Sequence, residues 1–219
     1  MNNKIIQLVG LVFLLLNVGC SDFLDEKSDT KLVVPETLRD NQALLDRIAN
    51  VLASNSISGQ ISSDEIYITD SDYNGISYEA DKRLYIWQPN LVARATGNDW
   101  GSCYFRINIC NTVLNNLEQY EISNSENVKG QALAIRASIY LEAAQIWCVA
   151  FNKNTANTDL GLPLRLNPDV NQKSVRATLQ ETYQQILEDL HTAVYLLPEK
   201  QIAVTRASKA TALGLLART

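Results

Sequence analysis

The chain has 219 residues, of which 46% are hydrophobic and 20% charged, with a formal net charge of −5. That is ordinary globular material with enough length for one well-filled core, and it excludes a disordered polymer. The acidic balance also excludes a surface built to hold a phosphate backbone, so no nucleic-acid partner is expected.

The first element is a targeting segment. Lys4 gives a positive start, residues 5–18 form an apolar run, and Gly19 is a small residue at its end. A transmembrane helix needs about 20 apolar residues, whereas this run is shorter and is followed at once by Asp22, Asp25 and Glu26. Residues 1–19 therefore read as a signal peptide, and cleavage there places Cys20 at the mature N-terminus. The layout resembles a bacterial lipoprotein signal, in which that thiol carries a diacylglycerol. Asn17 stands where the usual box has Leu, with Leu16 one place earlier. One acyl chain holds a protein only marginally at about 0.8 kcal/mol per buried methylene, so the several chains of a lipoprotein make a stable anchor. Residues 20–34 form the anchor or leader segment, and 35–219 the folded domain.

Residues 35–54 read as a helix, with Pro35 in the first turn and Leu38, Leu45, Ile48 and Leu52 at helical spacing. Residues 55–97 are rich in Ser, Asp, Asn and Gly with aromatics between them, a long and mostly irregular excursion of the kind that tends to be functional. Asp99 is placed to cap a helix reaching Tyr120, with Trp100, Tyr104, Ile107, Leu114 and Leu117 recurring along it. A second helix spans 126–151, with Ala132, Ile135, Ile139, Ala143, Ile146 and Ala150 on one face, beside Tyr140, Trp147 and Phe151. The short connection makes the two an antiparallel hairpin, each with a single apolar face.

A Pro- and Asn-containing link, 152–173, precedes the next pair. Thr178 and Glu181 have capping-box spacing, and Leu179, Tyr183, Ile186, Leu187, Leu190, Val194 and Leu197 keep a helical stripe until Pro198. A fourth helix begins near Arg206 and reaches Leu216 without a Gly, Asn or Pro stop, which reads as a domain incomplete at its C-terminal end. Two successive helix pairs suit a helical-repeat array, and a plain bundle has the same periodicity.

Cys103 and Cys110 lie seven residues apart, about 10 Å along a helix and too far to bridge, so they read as small core residues; Cys148 remains able to pair with either. No ligand spacing for a metal and no cofactor motif occurs, and the lone His191 reads as a structural or surface residue.

Several stretches together resemble the SusD/RagB-like surface lipoproteins of Gram-negative glycan degraders. They are "CSDFLDE" after the signal; Trp100, Tyr104, Ile107, Asn111 and Leu114; and "GQALAIRASIYLEAAQIW", with Gly130, Gln131, Ala132, Arg136, Ala137 and Tyr140. "DLGLPLRL", the pattern over 175–198 and the closing "ALGLLAR" complete the match. The resemblance implies a mostly α fold in which a tetratricopeptide-like helical scaffold carries long irregular insertions. It also implies a surface protein that binds oligosaccharides and sits as a lid on a TonB-dependent, SusC-like outer-membrane transporter. Members are much longer chains, so the match is to their N-terminal part.

Sugar rings present C–H faces that stack on Trp and Tyr, and hydroxyls that need fixed donors and acceptors. The excursion supplies both, and Tyr73, Tyr78, Arg83, Tyr85, Trp87 and Asn90 are the candidate ligand-binding residues, among Tyr67, Asp72, Asn74, Asp81 and Arg94. Packing against the helices is the alternative for Tyr85 and Trp87, while Trp100 and Trp147 read as core. Asp64 with Glu65, or Glu118 with Glu121, could be nominated as glycosidase carboxylates, but sequence neighbours rarely face each other across a scissile bond, and a binding protein is expected rather than an enzyme. The alternative to a glycan-binding lid is a helical-repeat interaction module that docks on the transporter without a sugar site of its own.

Overall fold

The computed structural model describes residues 34–51, 57–89 and 98–219. Five longer helices build the scaffold: α1 (Leu38–Val51), α5 (Asp99–Gln119), α6 (Glu126–Trp147), α7 (Leu179–Leu196) and α8 (Lys209–Arg218). Between α1 and α5 lie the short helices α2 (Ile57–Ile61), α3 (Asp70–Gly75) and α4 (Glu79–Tyr85); between α6 and α7 lie the strands β1 (Leu160–Pro163) and β2 (Arg176–Thr178). All of these belong to one unit, Pro35–Thr219. The mostly α class and the helix pairs expected from periodicity are present.

Helix α6 is the axis of the fold, because α1, α5, α7, α8 and β1 all pack on it. Its Ala132, Leu133, Ala134, Arg136, Ala137, Ile139, Tyr140, Leu141, Ala143 and Ala144 are buried, covering every side rather than the single face expected. The abundance of alanine explains this: a small side chain lets neighbouring helices approach from any direction, and 3.6-residue periodicity in bulk then misleads. The helix also stops at Trp147, short of Phe151, with Cys148 as its C-terminal cap.

Polar contacts fix how the other helices sit. Asn41 is buried, donates to the Pro35 and Thr37 carbonyls at 2.8 and 3.0 Å, and accepts from Asn116 of α5 at 3.0 Å. Asp46 pairs with Arg206 at 2.7 Å, so Arg206 ties α1 to the segment before α8 instead of opening α8. Ser208 caps α8, two residues beyond the expected start. At α5 the cap is Asn98, whose Oδ1 accepts from Gly101 N at 2.7 Å; Asp99 instead accepts from Ser58 N at 2.7 Å and joins α2 to α5. Thr178 and Glu181 form the expected capping box of α7, with bonds of 3.1 and 2.7 Å in the two directions.

Two features differ from expectation. Within the 55–97 excursion, the described residues 57–89 hold three short helices rather than the mostly irregular chain expected, α3 opening on Thr69, whose hydroxyl accepts from Asp72 N at 3.2 Å. The 152–173 link holds β1, antiparallel to β2 with an irregular register between Leu160 and Pro163. These strands are too short for an alternating pattern, and a side chain holds them: Arg176 donates from Nε to Gly161 O at 2.6 Å and from Nη2 to Leu160 O at 3.0 Å. Cys103, Cys110 and Cys148 are free thiols, the first two buried, so the Cys148 bridge left open by the sequence is not formed. His191 is exposed. Among the described residues no helix is long and apolar enough to cross a membrane.

Candidate functional site

Three of the candidate ligand-binding residues, Tyr73, Arg83 and Tyr85, lie on α3 and α4, and Tyr78 immediately precedes α4. Tyr73 on α3 and Tyr85 at the end of α4 meet with ring centroids 6.1 Å apart, and Lys82 places Nζ 5.7 Å from the Tyr73 ring centre while donating to Asn74 O at 3.2 Å. Tyr85 OH accepts from Ile68 N at 3.2 Å, which locks the ring against the preceding loop. Arg83 pairs with Glu79 at 3.2 Å on the exposed side of α4, and Tyr78, the residue before that helix, is 56% exposed.

Trp87 follows α4 and is 76% exposed, so it does not pack against the helices. Its backbone explains why. Trp87 N donates to Leu84 O at 3.2 Å and Gln88 N to Arg83 O at 2.9 Å, the two bonds of a Schellman ending, with Trp87 at φ 54°. Glycine is the usual occupant of that left-handed position, and an L-residue there costs about 1–2 kcal/mol. A bulky indole held there at a cost, and turned to solvent, adds nothing to the core. Asn90, Arg94 and Cys20 lie outside the described residues. The carboxylate pairs Asp64 with Glu65 and Glu118 with Glu121 are exposed, and Glu121 sits in a left-handed turn at φ 47°.

A second aromatic group escapes a reading by periodicity. Trp100 meets Tyr104 at 4.9 Å between ring centroids with the planes tilted by 45°, and meets Trp147 edge-on at 5.1 Å, yet Trp100 is 39% exposed rather than core. With Asn108, Pro163, Arg165, Val170 and Ser174, Trp100 and Tyr104 line a cleft of about 340 Å³. The available signal was the spacing of Trp100, Tyr104 and Asn108 at successive four-residue steps, which puts a polar residue on the same stripe as two aromatics.

A buried network holds the β1–β2 connection against this cleft. Arg136 donates to both carboxylate oxygens of Asp189 at 2.8 and 2.7 Å and to Asn111 Oδ1 at 2.8 Å. Burial opposes the guanidinium charge most strongly, but the Asp189 hydrogen bonds and the Asp189 charge, with smaller help from Tyr140 and Cys110, together outweigh it and hold the Arg136 pKa above its ordinary value. Asn111 donates onward to the carbonyls of Arg165 and Asn167 at 2.9 and 3.2 Å, and Tyr140 OH donates to Arg165 O at 2.8 Å. Tyr104 OH donates to Pro163 O at 2.9 Å. Burial pushes the Tyr140 phenol up to about 12 and raises that of Tyr104 further, so both remain neutral donors. Arg165 closes the connection on itself, donating to Gln172 O at 2.6 Å, to Ser174 Oγ at 2.9 Å and to Asp169 O.

Solved structures share this fold. A SusD superfamily protein from Bacteroides thetaiotaomicron VPI-5482 is 21% identical, with a TM-score of 0.65 over 83% of this chain and 42% of its own. One from Bacteroides vulgatus ATCC 8482 is 19% identical, with a TM-score of 0.68 over 83% and 42%. A laminarin-binding SusD-like protein is 19% identical, with a TM-score of 0.60 over 82% and 39%. The chain thus spans less than half the length of these structures. No curated protein sequence matches it. Residues 22–219 match the profile of the SusD-like family described as "starch-binding associating with outer membrane", and the chain belongs to that family.

Proposed function

We propose that the protein is a cell-surface glycan-binding lipoprotein that captures oligosaccharides and passes them to a TonB-dependent, SusC-like transporter, on which it sits as a lid. Family membership supports the ligand class, and the exposed aromatics Tyr78 and Trp87, beside the half-buried Tyr73–Tyr85 pair, carry the reading within this chain. Stacking on the C–H faces of pyranose rings uses them without any reacting group, which is consistent with a binding protein rather than an enzyme. Lys82, Arg83 and Asn90 supply donors for hydroxyls, and Cys20 supplies the lipid anchor to the outer membrane.

Native electrophoresis through gels containing starch or laminarin tests the reading. The expected result is retardation of the parent protein and clearly reduced retardation in Trp87→Gly and in Tyr73→Ala. Unretarded parent protein in both gels would remove the glycan-binding reading. Retardation unchanged in both variants would move the site elsewhere, and capture of the transporter without any glycan retention would favour the docking module.

A further inference from the structure

We infer that the cleft lined by Trp100, Tyr104, Asn108, Pro163, Arg165, Val170 and Ser174 is a second saccharide-binding site, separate from the Tyr73–Tyr85–Trp87 surface. It rests on the glycan-binding reading for its ligand class but uses none of the same residues. The volume of about 340 Å³ falls within the range of about 300–1,000 Å³ typical of small-ligand sites.

The walls divide as a sugar requires. Trp100 and Tyr104 form a fixed aromatic surface, since Trp100 is braced between the Tyr104 and Trp147 rings and Tyr104 is pinned through its hydroxyl to Pro163 O. Asn108 follows on the same stripe of α5 with an amide able to donate and accept. Across the cleft, Ser174 contributes a hydroxyl and Arg165 a guanidinium already held by the Ser174 side chain and the Gln172 and Asp169 carbonyls. Donors immobilised before the ligand arrives cost little further ordering on binding. No carboxylate is among the lining residues, so the site suits a neutral ring with hydroxyls rather than a cation. Val170, 75% exposed, closes the mouth with a C–H surface of its own.

The three tryptophans, 87, 100 and 147, make the test specific. In Trp87→Phe the remaining indoles both belong to the aromatic group at this cleft. Titrating that variant of the whole protein with laminaripentaose and maltopentaose, while following tryptophan emission, is expected to give a saturable change. Asn108→Ala should weaken it about tenfold, the scale of one lost hydrogen bond, and Val170→Glu, which obstructs the mouth from an exposed position, should abolish it. A parent protein retarded by starch or laminarin, together with no emission change in Trp87→Phe or one unaltered in both cleft variants, would overturn this site and leave the first surface standing. Absence of both retardation and emission change would overturn the two together.

Discussion

Trp87 and Arg136 show how differently a single residue can be held. Trp87 occupies a left-handed helix ending at φ 54° with its ring in solvent, so Trp87→Gly should relieve the backbone and raise stability by about 1 kcal/mol in urea unfolding while removing the stacking surface. Arg136 is the reverse case, paired with Asp189 where the side chains are only 7% and 4% exposed. Arg136→Met should cost about 3–5 kcal/mol, because Asp189 is left as a buried charge, and adding Asp189→Leu should recover part of that loss in the same assay. The thiols predict a pH dependence. Burial pushes Cys103 up to about 11 and Cys110 up to about 12, both from 9.0. Protonated thiols are thus favoured by the fold; the stabilisation is complete below pH 9 and declines as pH rises through 11 to 12, since the unfolded chain ionises first. Urea midpoints at pH 8 and pH 10.5 should fall in that order, and Cys103 and Cys110 should resist iodoacetamide in the native protein at pH 8.

At the scale of elements, local signals were legible wherever a short-range rule sets the outcome. Thr178, Glu181 and Pro198 marked both ends of α7, and Thr178→Ala should cost about 1 kcal/mol of thermal stability by removing the hydroxyl from the capping box. Elements set by distant partners were not legible. The β1–β2 pair depends on Arg176 reaching back 15 and 16 residues to Gly161 and Leu160, a contact without a periodic signature. Helix α6 presents alanine on several sides, so bulk alone marks one face where contact uses all of them. Trp100 illustrates the limit for the candidate sites: helical spacing places it on an apolar stripe, but exposure depends on which partner covers that stripe, and here Trp147 and Tyr104 cover only part of the ring. The excursion was marked by its aromatic and polar composition, whereas the pairing of Tyr73 with Tyr85 arises from the turn between α3 and α4.

For the molecule as a whole, the proposed attachment and the proposed recognition fall on separate parts of the chain. The proposed anchor is Cys20, and the aromatic surfaces lie within Pro35–Thr219. Cys20→Ala should therefore move the protein from the outer-membrane pellet to the soluble fraction without changing its retardation in starch or laminarin gels. Persistence of that variant in the pellet would remove lipid anchoring through Cys20. The helical core supplies the rigid part of this division: α6 touches every other long helix, while the first aromatic surface sits on the short helices α3 and α4 and the second lies between α5 and the β1–β2 connection.

That connection is gripped by its main chain. The scaffold takes hold of the carbonyls of Pro163, Arg165 and Asn167 through Tyr104, Tyr140 and Asn111, and carbonyls are present whatever residue occupies those positions. The exposed side chains of Leu166 and Val170 are correspondingly spared from structural duty, whereas Asn167 and Asp169 use theirs to accept from the backbone N–H groups of Asp169 and Asn171 at 3.1 and 2.8 Å. A lineage could therefore rewrite Val170, which lines the cleft, and retune the opening of the proposed site with the loop still seated in the same place.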